Sequence, residues 1–367
     1  MREFKQEIDQ KLQLLIRNFR TVLYEDDEQF LKGMQSTDVP KDEIKKYRYW
    51  EWTQGVGLYG FWKYYQETKD PAVLSEIIAY YDARLRDGLP GKNVNTTAPM
   101  LTLSCLYELT RDERYGSICR EWAEWLMEKL PRTEGGGFQH LTSDTLNHQE
   151  LWDDTLFMAV LFLANIGRIE QNTEWINEAH YQFLLHIRYL GDPVTSLFYH
   201  GWTFAGRHHF AGAFWGRGNS WITAAVPELL SLNKCEPFFE RYLAETLITQ
   251  VSALKRYQSP EGMWHTLIDD PDSYLEASAT CGFGYGILSG VRMGILDQDY
   301  RSCALLALEP ILSLIDENGV LHQVSYGTPM GRESVDFYKQ IEIRPMPYGT
   351  AMAILFLLEA RRIFDEE

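Results

Sequence analysis

The chain has no run of about 18 apolar residues, so no segment reads as a membrane-spanning helix and no membrane partner is expected. Its opening residues, Met1-Arg-Glu-Phe-Lys-Gln-Glu7, lack the apolar stretch of a secretory leader, and a cytoplasmic protein is expected. Positive charge is scarce. Against 52 Asp and Glu stand 35 Lys and Arg, a net charge of -17, which disfavours nucleic acid as a partner. The same balance makes an anionic substrate awkward unless its pocket is locally positive. Five cysteines, at 105, 119, 235, 281 and 303, include no C-x-x-C pair and fit reduced thiols. No Gly-rich phosphate loop, G-x-S-x-G elbow or H-E-x-x-H is present, and no strand precedes Gly282-Phe-Gly-Tyr-Gly286. His208-His209 have no carboxylates at ligand spacing, so neither a metal nor another cofactor is expected.

What the chain does have is helical periodicity. Twelve segments read as helix: about 3–24, 50–68, 71–86, 98–110, 112–130, 152–167, 172–189, 215–231, 238–257, 276–293, 298–315 and 347–363. Asp70-Pro71, Gly88-Leu-Pro-Gly91, Pro131 and Gly135-Gly-Gly137 break them where turn chemistry predicts. β-type signals are short, as in Met263-Trp-His-Thr-Leu-Ile268. Short links alternate with long ones, and long links gathered at one end of a scaffold can form a binding face. Twelve helices in six hairpins fit an all-α (α/α)6 barrel as a single domain over residues 1–367. An α-solenoid is the rival, although its repeats are usually more self-similar.

Aromatics make up 14% of the residues, and Trp52, Trp152, Trp202, Trp215 and Trp221 sit beside polar groups rather than in apolar runs. Flat apolar faces beside hydrogen-bonding groups suit sugar rings. In Trp152-Asp-Asp-Thr-Leu156 two acids open a helical run. Capping explains acids there, and that role is assigned to Asp153. Asp154 is the candidate proton donor, in some tension with the helix N-terminus, which lowers a carboxyl pKa; burial beside Trp152 raises it. Arg217, in Phe214-Trp-Gly-Arg-Gly-Asn219, offers paired donors to a carboxylate or else an interhelix salt bridge. His140 and His200 fall in loops before candidate inner helices and could be ligand contacts or ordinary histidines.

Several ordered pieces carry a family resemblance. They are Trp52-Thr-Gln-Gly-Val56, Ala98-Pro-Met100, Leu106-Tyr-Glu-Leu-Thr-Arg-Asp-Glu-Arg-Tyr115, Gly137-Phe-Gln-His140, Trp152-Asp-Asp-Thr-Leu-Phe-Met158 and Tyr199-His-Gly-Trp202. Phe214-Trp-Gly-Arg-Gly-Asn-Ser-Trp221 is the most specific, and Glu276-Ala-Ser-Ala-Thr280 and Tyr348-Gly-Thr-Ala351 follow. On these pieces the chain resembles the unsaturated rhamnogalacturonyl hydrolases, family 105 of the glycoside hydrolases, related to the unsaturated glucuronyl hydrolases. The resemblance implies an (α/α)6 barrel that acts on lyase-made oligosaccharides ending in a 4,5-unsaturated uronic acid. An aspartate protonates C4 of the vinyl ether, water adds at C5, and the aglycone leaves without a covalent intermediate. The acid maps onto Asp154. Trp52, His140, Trp152, His200, Trp215 and Arg217 map to substrate positions, with Arg217 expected at the sugar carboxylate. A second aspartate of the family is replaced here by Asn95, which cannot exchange a proton at neutral pH. The resemblance leaves open the aglycone, the oligomeric state, and two rival functions: another barrel activity (exo-glycosidase or epimerase) and a non-catalytic sugar-binding toroid.

Overall fold

Six helices that are apolar on nearly every face stand side by side, and six more lie outside them. The structure, a computed structural model, describes residues 2–24, 27–35 and 39–366. In chain order come α1 (Arg2–Val22), α2 (Glu28–Met34), α3 (Lys41–Tyr47), α4 (Trp52–Thr68), α5 (Pro71–Asp87), α6 (Val94–Thr110) and α7 (Glu113–Glu128). Strand β1 (Glu150–Trp152) precedes a π-helical turn (Leu156–Val160), α8 (Leu161–Ile169) and α9 (Thr173–Leu190). After β2 (Gly201–Thr203) follow α10 (Gly216–Leu232), α11 (Pro237–Tyr257), α12 (Ala277–Arg292), α13 (Arg301–Leu306), α14 (Leu308–Leu314), α15 (Asp336–Lys339) and α16 (Pro347–Glu366).

The inner ring runs α4, α6, α8, α10, α12, α16 and back to α4, each packed on the next. Outside them lie α5, α7, α9, α11, the broken α13–α14 pair and α1. This is the (α/α)6 barrel. The hairpins are out of step with the chain: α1 returns to cover α16, so the first inner helix is α4. A ring of this kind needs close helix approach. A Cβ on Gly60 would stand 2.9 Å from Ala351 of α16, so glycine is what lets α4 and α16 meet. The core between the helices is continuous, from Phe61 and Leu103 through Phe162, Val226 and Phe283 to Phe356. Each fully buried side chain of this size contributes about 1.5–3 kcal/mol.

Helix ends follow local chemistry. Asp70 caps α5 through the Ala72 N–H at 2.9 Å, with Pro71 at the first position. Asn93 and Thr96 form a reciprocal box at the start of α6. All six inner helices begin at the same end of the ring, because each short link leads from an inner helix to its outer partner. The long links therefore gather at those N-termini. Among the described residues no helix is long and apolar enough to cross a membrane.

Candidate active site

A cavity of about 400 Å³ opens among the long links at the N-terminal end of the inner ring. Trp52, Asn95, His140, Trp152, Asp154 and Trp215 all line it, drawn from five different segments. His200 lies directly behind this wall, and Arg217 lies deeper.

Two short strands bring the acid and the imidazole together. In the antiparallel pair β1–β2, Trp152 faces Gly201, and the Asp153 N–H donates to the His200 carbonyl at 3.0 Å. The chain then turns inward at Asp154, whose carbonyl accepts from Phe157 and Met158. The turn that follows is π-helical, a widening often found at functional sites. Neither acid caps it through its side chain. The expected capping role of Asp153 is therefore corrected: its carboxyl is fully buried and neither oxygen has a hydrogen-bond partner.

The Asp154 side chain is 17% exposed, and its Oδ1 stands 3.7 Å from His200 Nε2. His200 Nδ1 meets the Tyr338 hydroxyl at 2.6 Å, and that oxygen also accepts from the Gly331 N–H at 3.0 Å. A phenol has one proton to give. If His200 Nδ1 accepts it, neutral His200 carries its hydrogen on Nε2, directed at Asp154. Burial lowers His200 to about 4, so it is neutral at pH 7. Burial likewise lowers His140 to about 4. His140 stacks on Trp152, with ring centres 4.3 Å apart and planes 9° apart, and contacts Thr155 Oγ1 at 2.8 Å.

The two adjacent acids diverge. Burial, then the neighbouring Asp154, pushes the Asp153 carboxyl well above the carboxylate range. Burial pushes Asp154 upward as well, but its interaction with Asp153, followed by the two imidazoles, outweighs this and holds it below its ordinary value. With both histidines neutral, the interaction with Asp153 and a hydrogen bond from the Asp154 backbone are the causes that remain at pH 7. Asp153, Asp154 and His200 are also, among the described residues, a group whose ligand-capable atoms lie within 4.8 Å of one another.

Arg217 takes the second of its two expected roles: its Nη1 pairs with Glu276 Oε1, the cap of α12, at 3.9 Å. Arg217 is completely buried and donates to the Ser325 carbonyl at 2.9 Å, the Tyr326 carbonyl at 3.1 Å and Thr328 Oγ1 at 2.9 Å. The Trp215 and Tyr348 rings flank its guanidinium at 4.6 and 4.8 Å. It holds the loop carrying Tyr326, Gly327 and Thr328, which form cavity wall, and it braces Trp215 from behind.

Residues absent from the sequence reading also line the cavity. Arg332 pairs with Glu150 at 2.8 Å and reaches Asn147 Oδ1 at 3.2 Å. Glu51, next to Trp52, accepts from Ser143 Oγ and the Trp52 N–H, and burial pushes it up to about 8. The signal for Glu51 is present in Tyr49-Trp-Glu-Trp52, an acid directly after a tryptophan, as in Trp152-Asp-Asp154. Arg332 lies in a loop without periodicity and carries no such signal.

The family described as Glycosyl Hydrolase Family 88 matches residues 28–364. A curated relative, the unsaturated rhamnogalacturonyl hydrolase YesR of Bacillus subtilis (strain 168), is 33% identical over 313 residues, 84% of this chain and 89% of the relative. A solved structure from Salmonella enterica serovar Paratyphi A, described as a possible member of the GH105 family, is similar at TM-score 0.90 and 43% identity, over 98% of this chain and 95% of that one. Another, from Klebsiella pneumoniae and described in the same words, is similar at TM-score 0.88 and 45% identity, over 96% and 93%.

Proposed function

The chain belongs to Glycosyl Hydrolase Family 88, and from that premise we propose that it removes the 4,5-unsaturated uronic acid from the non-reducing end of lyase-made oligosaccharides, rhamnogalacturonan fragments above all. The observation that carries this is Asp154 at the wall of a cavity faced by Trp52, Trp152 and Trp215. Sugar rings pack on the indoles, and the carboxyl delivers a proton to C4 of the vinyl ether. Positive charge develops at C5, water adds there, and the hemiketal opens to release the aglycone. General-acid assistance of this kind is worth about 10²–10⁴-fold. No covalent sugar–enzyme bond forms, so a second carboxylate at glycosidase spacing is not required. Asn95, on the wall, serves as a hydrogen-bonding group rather than a proton carrier.

The net charge of -17 would repel a uronate. The ring geometry offsets it locally: the inner helices direct their N-termini, the positive ends of their dipoles, at the cavity. Glu51, raised to about 8, adds little negative charge at neutral pH. The counter-charge passes from Arg217, which is buried behind the wall, to Arg332, a guanidinium on the wall. His200 Nε2 faces Asp154 Oδ1 at 3.7 Å without a hydrogen bond, and His140 holds Trp152 flat against the sugar. We assign the whole chain to one catalytic domain, without cofactor, acting in the cytoplasm.

The test is incubation with lyase digests of rhamnogalacturonan, glycosaminoglycan and ulvan, following loss of the ultraviolet absorbance of the conjugated double bond. Consumption of the rhamnogalacturonan digest is expected, with saturated glycosides inert. Cleavage of a saturated glycoside, or tight binding without turnover, would replace this reading. Fractionation of the producing cells checks the compartment, with the activity expected in the cytosolic fraction.

A further inference from the structure

Asp153 is buried, acidic and unused by the mechanism above. Its two oxygens have no hydrogen-bond partner, and a Cβ on Gly218 would collide with them, so the carboxyl is closed in against α10. A bare carboxylate in that place is strongly unfavourable, and such a group keeps its proton instead. Two further unpartnered atoms lie beside it, Asp154 Oδ1 and His200 Nε2. One atom from each of the three residues falls within 4.8 Å of the others. The titratable and charged groups around the pair are Asp154 on its own segment, His200 before β2, His140 before β1, Arg217 on α10 and Tyr338 on α15.

We propose that Asp153 and Asp154 work as a pair sharing one proton, with Asp153 as the buried store from which Asp154 is reloaded. The inference rests on the reading of Asp154 as the acid. It also answers a difficulty in that reading, because Asp154, held below the usual carboxylate range, rests ionised at pH 7 and has no proton of its own to give. Asp153 supplies it, by a small side-chain rotation or across one water. Asp154 then passes the proton to C4, where the π pair of the double bond forms the new C–H bond. The pair is left doubly charged, which two neighbouring carboxylates resist. It therefore acts as the base for the incoming water: the water oxygen bonds to C5 and one water proton returns to the pair. The remaining hydroxyl proton passes to the ring oxygen and then to the departing aglycone oxygen. The proton count closes after each turnover. Asp153 touches no substrate, so it is a positioning residue acting through Asp154.

The test has two arms. In the first, Asp153→Asn keeps the shape but cannot hold an exchangeable proton. Its melting temperature and KM should stay near wild type. Its kcat at pH 7 should fall at least about 10-fold, and its alkaline limb should move down by about one pH unit or more, since a single carboxyl replaces a coupled pair. A limb left where the wild type has it would overturn the proposal. The second arm needs no variant. Infrared difference spectra of the wild-type protein, with aspartate carboxyls ¹³C-labelled, should show a carboxylic-acid carbonyl band at pH 7 that shifts with the label, which separates it from Glu51. Absence of that band would overturn the proposal, as would one bound metal ion per chain whose chelation abolishes turnover. If the wild-type protein consumes no unsaturated substrate, the functional reading fails on its own, and the infrared band still reports on the pair.

Discussion

The two ends of the barrel both bury acids, and they treat them differently. Toward the C-terminal end, Glu228 accepts from the Tyr59 hydroxyl at 2.6 Å and from the Tyr285 hydroxyl, and it pairs with Lys63 at 3.0 Å. Glu359 is held by Arg292 at 2.8 Å and by Arg362. Their oxygens are occupied. At the N-terminal end Asp153 has no partner, Asp154 has one bare oxygen, and Glu51 is shifted to about 8. Buried polar groups are nearly always satisfied, so the exceptions gather where a ligand or a proton is to be handled. The lower acids hold helices together; at the upper end Glu150 and Glu276 are likewise satisfied, and Asp153 and Asp154 are the ones kept ready for chemistry.

Substitutions at the two ends should therefore separate activity from stability. The largest effect is expected from Asp154→Asn, which should lower kcat at least about 100-fold with KM and melting temperature near wild type. Steady-state kinetics on an unsaturated disaccharide checks this, and a near wild-type rate would erase the functional side of the contrast. At the other end, Glu228→Ala should cost about 3 kcal/mol of stability in chemical denaturation, since it strands Lys63 and two tyrosine hydroxyls. Activity per folded molecule should be unchanged.

Within the upper end, Arg332→Ala should raise KM about 10-fold with kcat maintained, the size of a lost charge-assisted hydrogen bond. Arg217→Ala should act mainly by loosening the loop at 325–328, so its melting temperature should fall. The reverse ranking on KM would restore Arg217 as the carboxylate partner.

The smallest expected effect is a change of slope. Glu51 is raised from 4.5 in the unfolded chain to about 8 in the folded one. The folded state therefore holds more protons between those values, and stability falls as pH rises through that window. His140 and His200, lowered from 6.5 to about 4, act oppositely: their contribution is present above 6.5 and lost as pH falls toward 4. Glu51→Gln should remove only the alkaline-going loss, which denaturation of both proteins between pH 5 and about 8 would reveal.

Eleven of the twelve expected helices were legible because each carries a 3.6-residue pattern bounded by a cap or breaker, as at Asp70-Pro71 and Asn93; the twelfth, 298–315, is broken into α13 and α14 after a 3-10 turn. The short α2, α3 and α15 were not, since four to seven residues hold too little periodicity to stand out from a loop. Six of the eight site residues proposed from the sequence line the cavity. Arg217 lies behind the wall because it pairs with Glu276 and its hydrogen-bond partners arrive from Ser325 to Thr328, more than 100 positions away. Asp153 did not act as a cap because the π-helical turn begins beyond it and its carboxyl turns toward α10 instead. Local rules describe neighbours in sequence, and both of these roles depend on neighbours in space.

The central claim is that a proton from Asp154 reaches C4 of the unsaturated uronate. Turnover of an unsaturated disaccharide in D₂O, with the released product read by NMR, tests it most directly. The account predicts deuterium at C4 with the wild-type protein and product formed at least about 100-fold more slowly with Asp154→Asn. Product formed without deuterium at C4, or formed equally fast by the variant, would contradict it.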